Sequence, residues 1–263
     1  MERTVTDMMG RTVALPARPV RIVSLVPSQT ELLFELGLDE EVVGITKFCV
    51  HPEEWFRSKR RVGGTKTVHR HIIDELQPDL IIANKEENTR EQIEELASVY
   101  PVWISDITTV GHALQMIEQV GIITGRGAAA AELVGELAVG FAGLPVASKR
   151  LRKVAYYIWK DPWMCAGGDT FISDVISKMG WLNVCEHLPR YPEVNLQDLH
   201  ALQPDLVLLS SEPYPFKDKH IEEITAAVPN AEVKLVDGEM FSWYGSRMRH
   251  AIPYLTMLAS PQD

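Results

Sequence analysis

One five-residue string occurs twice in this chain: Leu76-Gln77-Pro78-Asp79-Leu80 returns in the second half as Leu202-Gln203-Pro204-Asp205-Leu206. Each copy runs into a short apolar string, Ile81-Ile82-Ala83 in one and Val207-Leu208-Leu209 in the other. Proline cannot extend a helix that precedes it, and a short run that is apolar on both faces reads as a buried strand of a parallel sheet. Each copy therefore predicts a helix, a Pro-Asp corner and a strand, followed by a polar loop: Asn84 to Asn88 first, Ser210 to Tyr214 later. Repetition of that unit calls for an α/β chain of two Rossmann-like lobes, each built on a parallel sheet.

Other segments fit the frame. Val20 to Val26 reads as a first strand, Ser28 as the cap of a helix running to Leu36, and Gly37 as its stop. In the second half, Val154 to Trp159 reads as a strand, and Asp169 or Thr170 through Met179 as a helix stopped by Gly180. Between the halves, Thr109 to Leu144 is rich in Ala, Leu, Ile and Glu and free of proline, although Gly121, Gly125, Gly127, Gly135, Gly140 and Gly143 lower its helix propensity. It reads as one long backbone helix, whose thirty-odd helical residues would span roughly 45–50 Å at about 1.5 Å each, a stiff connector. The expected organisation is an N-terminal lobe over 1–108, the interlobe helix over 109–144 and a C-terminal lobe over 145–263.

Charge narrows the partners. Lys plus Arg number 26 against 36 Asp plus Glu, a net charge of −10 with no basic cluster. Such a chain offers no attractive field to nucleic acid or to an anionic membrane surface. The most apolar long stretch, Ala128 to Leu144, carries Glu132 and Glu136, so no membrane-inserted helix is expected. The first twenty residues hold no apolar core of a secretion signal, which reads as cytoplasmic as written and as periplasmic if a leader has been removed. Cys49, Cys165 and Cys185 form no CxxC and read as free thiols of a reducing compartment.

Parallel sheets bind ligands beyond the carboxyl ends of their strands. Those loops hold Ser28, Gln29 and Lys85 in the first lobe, and an aromatic set in the second: Trp159, Trp163, Tyr191, Tyr214, Phe216, Phe241, Trp243 and Tyr244. Rings offer stacking area at low entropic cost. Nearby charges (Lys85, Glu86, Glu87, Lys160, Glu212, Glu239 and Arg247) point to a ligand with polar or ionic edges. Arg247 is the expected anion contact, since a guanidinium forks onto carboxylate or phosphate, and Ser28 and Gln29 could add helix N-terminal donors.

The opening Thr6-Asp7-Met8-Met9-Gly10-Arg11, the string Arg21 to Glu31, the two repeat copies and the intervening helix together resemble the helical-backbone (class III) substrate-binding proteins. These are receptors of bacterial iron–siderophore, haem and cobalamin ABC importers, and the likeness is nearest to the cobalamin receptors. The resemblance implies a non-catalytic protein that holds cobalamin, haem or a ferric siderophore in an interlobe cleft. It places the receptors' first-lobe aromatic on Phe48 and a second-lobe tryptophan on Tyr191, while two further pocket tryptophans fall on Thr65 and Asn84. It also implies one permease-docking carboxylate per lobe, eight residues before the repeat's Asp, where this chain has His71 and Gln197. Asp74, Glu75 and Asp198 stand close by, but the docking pair itself is not matched.

Three alternatives stay open at the level of sequence. His69 and His71 form a His-x-His pair able to ligate a transition metal, and Cys49 with Cys165 could turn thiolates toward a haem or cobalt. An enzyme acting on the same ligand could use Glu86, Glu212, Glu239 or His69 as acid or base, although no GxSxG, HExxH, P-loop or GxGxxG motif is present. A regulatory interaction module is the third.

Overall fold

The computed structural model describes residues 2–145 and 151–260, and they divide into two units. The first takes the described residues of Met1–Ile107 together with His112–Glu136 and Tyr244–Ser246. It opens on an antiparallel hairpin, β1 (Glu2–Thr6) and β2 (Thr12–Pro16), that the sequence reading did not anticipate. Asp7 organises its turn: Oδ1 accepts from the N–H groups of Met9 and Arg11 at 3.0 and 2.8 Å, and Gly10 supplies a φ of +75°. Five parallel strands follow, β3 (Ile22–Ser24), β4 (Val42–Ile45), β5 (Arg60–Arg61), β6 (Leu80–Asn84) and β7 (Val102–Ser105), in the order β5-β4-β3-β6-β7. The helices between them are α1 (Pro27–Glu35), α2 (Glu53–Ser58), α3 (Arg70–Leu76) and α4 (Arg90–Ala97). β6 is buried along its whole length, as its unbroken apolar run requires. Ile73 of α3 and Ile93 and Leu96 of α4 close one core around Val23, Ile81 and Val102.

Ser28 does not cap α1. The helix starts at Pro27, whose fixed φ suits the first helical position, and Val26 is the cap residue without a side-chain bond.

The expected single helix over 109–144 is two helices, α5 (Val110–Thr124) and α6 (Gly127–Ala142). Gly125, at φ +73°, ends α5: its N–H reaches Ile122 O at 3.3 Å, and that of Arg126 reaches Gly121 O at 2.7 Å. This is the Schellman pattern, which glycine favours because it carries no Cβ. Gly121 then lies against Ala130 so closely that a Cβ would collide with it, which lets α6 fold back onto α5. From Leu137 onward α6 packs with the second unit.

That unit comprises Thr108–Gly111, the described residues of Leu137–Trp243, and those of Arg247–Asp263. Its strands are β8 (Arg152–Trp159), β9 (Met164–Cys165), β10 (Trp181–Asn183), β11 (Leu206–Ser210) and β12 (Glu232–Val236). Four run parallel in the order β10-β8-β11-β12, and β9 adds antiparallel to β8. The helices are α7 (Phe171–Lys178), α8 (Leu196–Leu202), α9 (Asp218–Ala227), α10 (Glu239–Ser242) and α11 (Met248–Ala259). Thr170 caps α7 by accepting from Ser173 N, and Gly180 follows at φ +70°.

The repeat is now legible as a device. Gln77 and Gln203 both end their helices in the left-handed region, at φ 45° and 48°. Asp79 then accepts the N–H groups of Val20 and Arg21, at 2.9 and 2.8 Å, while Asp205 accepts that of Lys153 at 2.9 Å. Each Asp fastens the start of the neighbouring central strand. This is why β3 begins only at Ile22, later than the sequence suggests. Among the described residues, no helix is long and apolar enough to cross a membrane.

Candidate ligand-binding site

At the carboxyl edge of the first sheet, Asn84 ends β6 and is 2% exposed. Its N–H donates to Asn88 Oδ1 at 2.8 Å, and its Nδ2 reaches Ser105 O and Oγ at 3.2 and 3.0 Å. Its Oδ1 accepts from the N–H groups of Glu86 and Glu87. Asn88 Nδ2 donates to Leu25 O and Thr65 O, and Gln29 Nε2 donates to Ser105 Oγ. A buried amide network therefore knots together the ends of β3, β6 and β7. Of the residues expected to touch ligand, Asn84 has its side chain spent in it, Gln29 joins through Nε2 and Thr65 through its carbonyl, and Ser28 is buried too. Cys49 is also buried, between Thr30 Oγ1 and Thr46 Oγ1, and burial pushes its thiol up, so it offers no open thiolate.

What this edge does present is Phe48, half exposed, with Lys47 Nζ 5.0 Å from its ring centroid. Gly64 backs that ring: an added Cβ would meet Phe48 Cε2 at 3.1 Å. Lys85 is exposed and paired with Asp106 at 2.7 Å. The rings of His69 and His71 lie 5.9 Å apart, and among the described residues no group of three or more His, Cys, Asp or Glu could hold a metal ion.

The second lobe's carboxyl edge is built differently. Trp243 Nε1 donates to Glu212 Oε1 at 2.8 Å, and Ser242 Oγ donates to the same oxygen at 3.1 Å. The Arg247 guanidinium lies 5.4 Å from the Trp243 ring centroid and 3.3 Å from a Glu239 oxygen. Four expected residues thus form one linked chain of carboxylate, indole, guanidinium and carboxylate. Burial raises the Glu212 pKa; the bonds from Trp243 and Ser242 oppose that, and the nearby Glu239 and Asp237 add to it. Gly238 lets α10 approach, because a Cβ there would strike Ser210 and Glu212. Arg247 is held by Glu239, with 12% of its side chain exposed, so it is less open to an anion than the sequence implies.

A second group of rings runs Trp159, Tyr214, Phe216, Trp163, with centroid separations of 5.7, 4.8 and 5.8 Å. Trp159 is 40% exposed, while Trp163 stacks on Phe216 under Lys160 Nζ, 4.5 Å from its ring. Phe241 is a core residue, fully buried against Tyr156 and Tyr254. Tyr191 is partly buried. Tyr244 is buried and belongs to the first unit, where Gly245, at φ +101°, lies against Ser28 O. Cys165 is buried in the second lobe's core and presents nothing to a ligand. Sequence reading missed the three cation–ring contacts, which join residues one to four positions apart, and the Glu212–Trp243 bond, which joins residues 31 positions apart and leaves no local pattern.

His71 and Gln197 occupy matching exposed places on the first turns of α3 and α8. Asp74 is engaged by Arg70 at 2.8 Å and by Tyr100 Oη at 2.7 Å, which lower its pKa; Glu75 pairs with Arg60 at 3.2 Å.

The chain was compared with known proteins. It is 24% identical to the uncharacterised ABC transporter substrate-binding lipoprotein YvrC of Bacillus subtilis, over 96% of this chain and 83% of that one. It is 26% identical to a vitamin B12-binding protein of Photorhabdus laumondii, over 75% and 73%. Among solved structures, the periplasmic vitamin B12 binding protein of Vibrio cholerae matches with a TM-score of 0.75 at 20% identity, covering 94% of this chain and 100% of that one. A possible iron-binding periplasmic solute-binding protein of Staphylococcus epidermidis matches at 0.77 and 22%, over 91% and 98%. These two share the two-lobed α/β fold. The periplasmic binding protein family model matches residues 22–227, from the first strand of the parallel sheet to the end of α9, and the chain belongs to that family.

Proposed function

We propose that this protein is a non-catalytic receptor for a metal-containing macrocycle or chelate (cobalamin, haem or a ferric siderophore) and that it serves an ABC importer outside the cytoplasmic membrane. The observation that carries the reading is the placing of exposed rings, Phe48 in the first lobe and Trp159 in the second, at the carboxyl ends of parallel strands. In each lobe taken by itself, flat apolar surface of this kind suits a macrocycle face, and the charged residues at the same edge, Lys47 and Lys85 in the first and Glu212 and Glu239 in the second, suit polar groups of such a ligand. Names among the curated relatives, vitamin B12-binding and cobalamin-binding, favour a corrin as the first ligand to try. Docking on a permease falls to Glu75 and Asp198 in this reading, because Asp74 is engaged by both Arg70 and Tyr100, whereas the one pairing of Glu75 with Arg60 is solvent-exposed on both sides.

The test is titration with cyanocobalamin, haemin and a ferric catecholate, followed by calorimetry and tryptophan fluorescence. One of them binding with a Kd below about 10 μM, or roughly −7 kcal/mol, supports the receptor. Absence of binding by all three overturns the choice of ligand class. Recovery of a chemically altered ligand overturns the non-catalytic role.

A further inference from the structure

Two of the three thiols of this chain are neighbours. Cys165 and Cys185 are both fully buried in the second lobe's core and belong to one apolar cluster. The topology brings their two segments side by side. On one edge of β8, β10 occupies the places opposite Arg152 to Val154, and β9 takes the next stretch opposite Tyr157 and Trp159. The chain leaving β10 therefore meets β9. Asn183 Nδ2 donates to Ala166 O at 2.9 Å, and Cys185 N donates to Asn183 Oδ1 at 3.0 Å, which pins Cys185 beside the residue that follows Cys165. The backbone beyond continues the pairing: Cys165 N reaches Pro192 O at 3.0 Å, and Gly167 N reaches Arg190 O at 2.7 Å.

We propose that Cys165 and Cys185 are a disulfide-forming pair, closed when the chain folds in an oxidising compartment and open when it folds in a reducing one. The chemistry needs an external disulfide, such as oxidised glutathione or a protein dithiol oxidase. One cysteine thiolate attacks it, releasing one thiol and forming a mixed disulfide. The second thiolate then displaces the other half, so two protein thiols lose two protons and two electrons and the oxidant is reduced to two thiols. Burial pushes the Cys165 thiol well up, and a buried neutral thiol is a poor nucleophile, so the bond closes on the folding chain rather than after it. The bond would staple β9 to the segment that carries Arg190 and Tyr191. Cys49 takes no part, since Thr30 and Thr46 hold it in the first lobe's core.

The experiment is refolding of the full chain with and without a glutathione redox buffer, then alkylation in denaturant and intact mass. Oxidative refolding is expected to leave one alkylatable cysteine of the three, with the alkylation-free mass about 2 Da lower and a peptide joining Cys165 to Cys185. The oxidised protein should melt roughly 5–10 °C above the reduced one. Cys185→Ala should abolish both the cross-link and the response of Tm to reductant, while Cys49→Ala leaves both in place. Three alkylatable thiols after oxidative refolding, or a cross-link through Cys49, would overturn the proposal. Should Cys185→Ala fail to fold, the peptide map of the unmodified chain decides alone.

Discussion

The two copies of the repeat end alike at one edge of their sheets and unlike at the other. At the amino edge, Asp79 and Asp205 do the same work, fastening a neighbouring strand through backbone N–H groups. At the carboxyl edge, Asn84 leads into a buried amide network, whereas the loop after Ser210 supplies Glu212 to the Trp243 indole and Tyr214 to a group of rings. The difference teaches that the repeat encodes scaffold and leaves the strand-end loops to diverge. The first lobe spends its polar side chains on internal order. The second keeps aromatic and carboxylate groups near the surface.

The largest effect should come from Asn88→Ala. It removes the acceptor for Asn84 N–H and the donor to two buried carbonyls, so unfolding by denaturant should show a loss of about 2–4 kcal/mol. A loss below about 1 kcal/mol would mean that the first lobe's edge is not knotted as described. Next come the paired Asp79→Ala and Asp205→Ala variants. Each accepts backbone N–H groups of the neighbouring strand, so each should cost about 1–2 kcal/mol. A clear loss at one of the two and none at the other would break the likeness of the amino edges.

Trp243→Ala separates the lobes by kind of effect. Affinity for the ligand found by titration should fall about tenfold, some 1.4 kcal/mol, while stability changes less than in Asn88→Ala. The reverse outcome would make Trp243 structural. The smallest effect is a pH dependence. Because the Glu212 pKa is raised in the folded protein, its contribution to stability is present below its ordinary unfolded value and is lost as pH rises through the raised one. Glu212→Gln keeps an acceptor for Trp243 without the buried charge. Relative to the unmodified protein, it should therefore gain stability between pH 5 and pH 8, and the difference should shrink toward pH 4. Parallel stability curves for the two proteins across that range would show that the charge carries no such cost.

How much of this was legible in the sequence depended on how local the cause was. The Leu-Gln-Pro-Asp-Leu strings predict helix, corner and buried strand because proline, glutamine and the apolar run act within a few residues of one another. Gly125 was visible among the glycines of Thr109 to Leu144, but only its Schellman bonds show that it ends a helix rather than bending one. The hairpin of residues 2–16 was hidden because its alternation is short and its turn depends on Asp7. At the candidate site, residue types were readable and commitments were not. Asn84 and Gln29 are polar residues at strand ends, as a ligand contact would be, yet a partner 21 positions away binds the Asn84 side chain and the same residue, 76 positions from Gln29, takes its Nε2.

The aspartate clasp at the amino edge also bears on how such a receptor changes over time. Since each clasped strand is anchored at its start, a change in a loop that carries no such internal network, as after Ser210, is expected to leave the sheet paired. Cargo preference can then drift, or be exchanged between lineages as a cassette of strand-end loops, while the folding instructions stay put. A loop graft from a relative of different cargo, placed after Ser210, is the engineering form of the same idea.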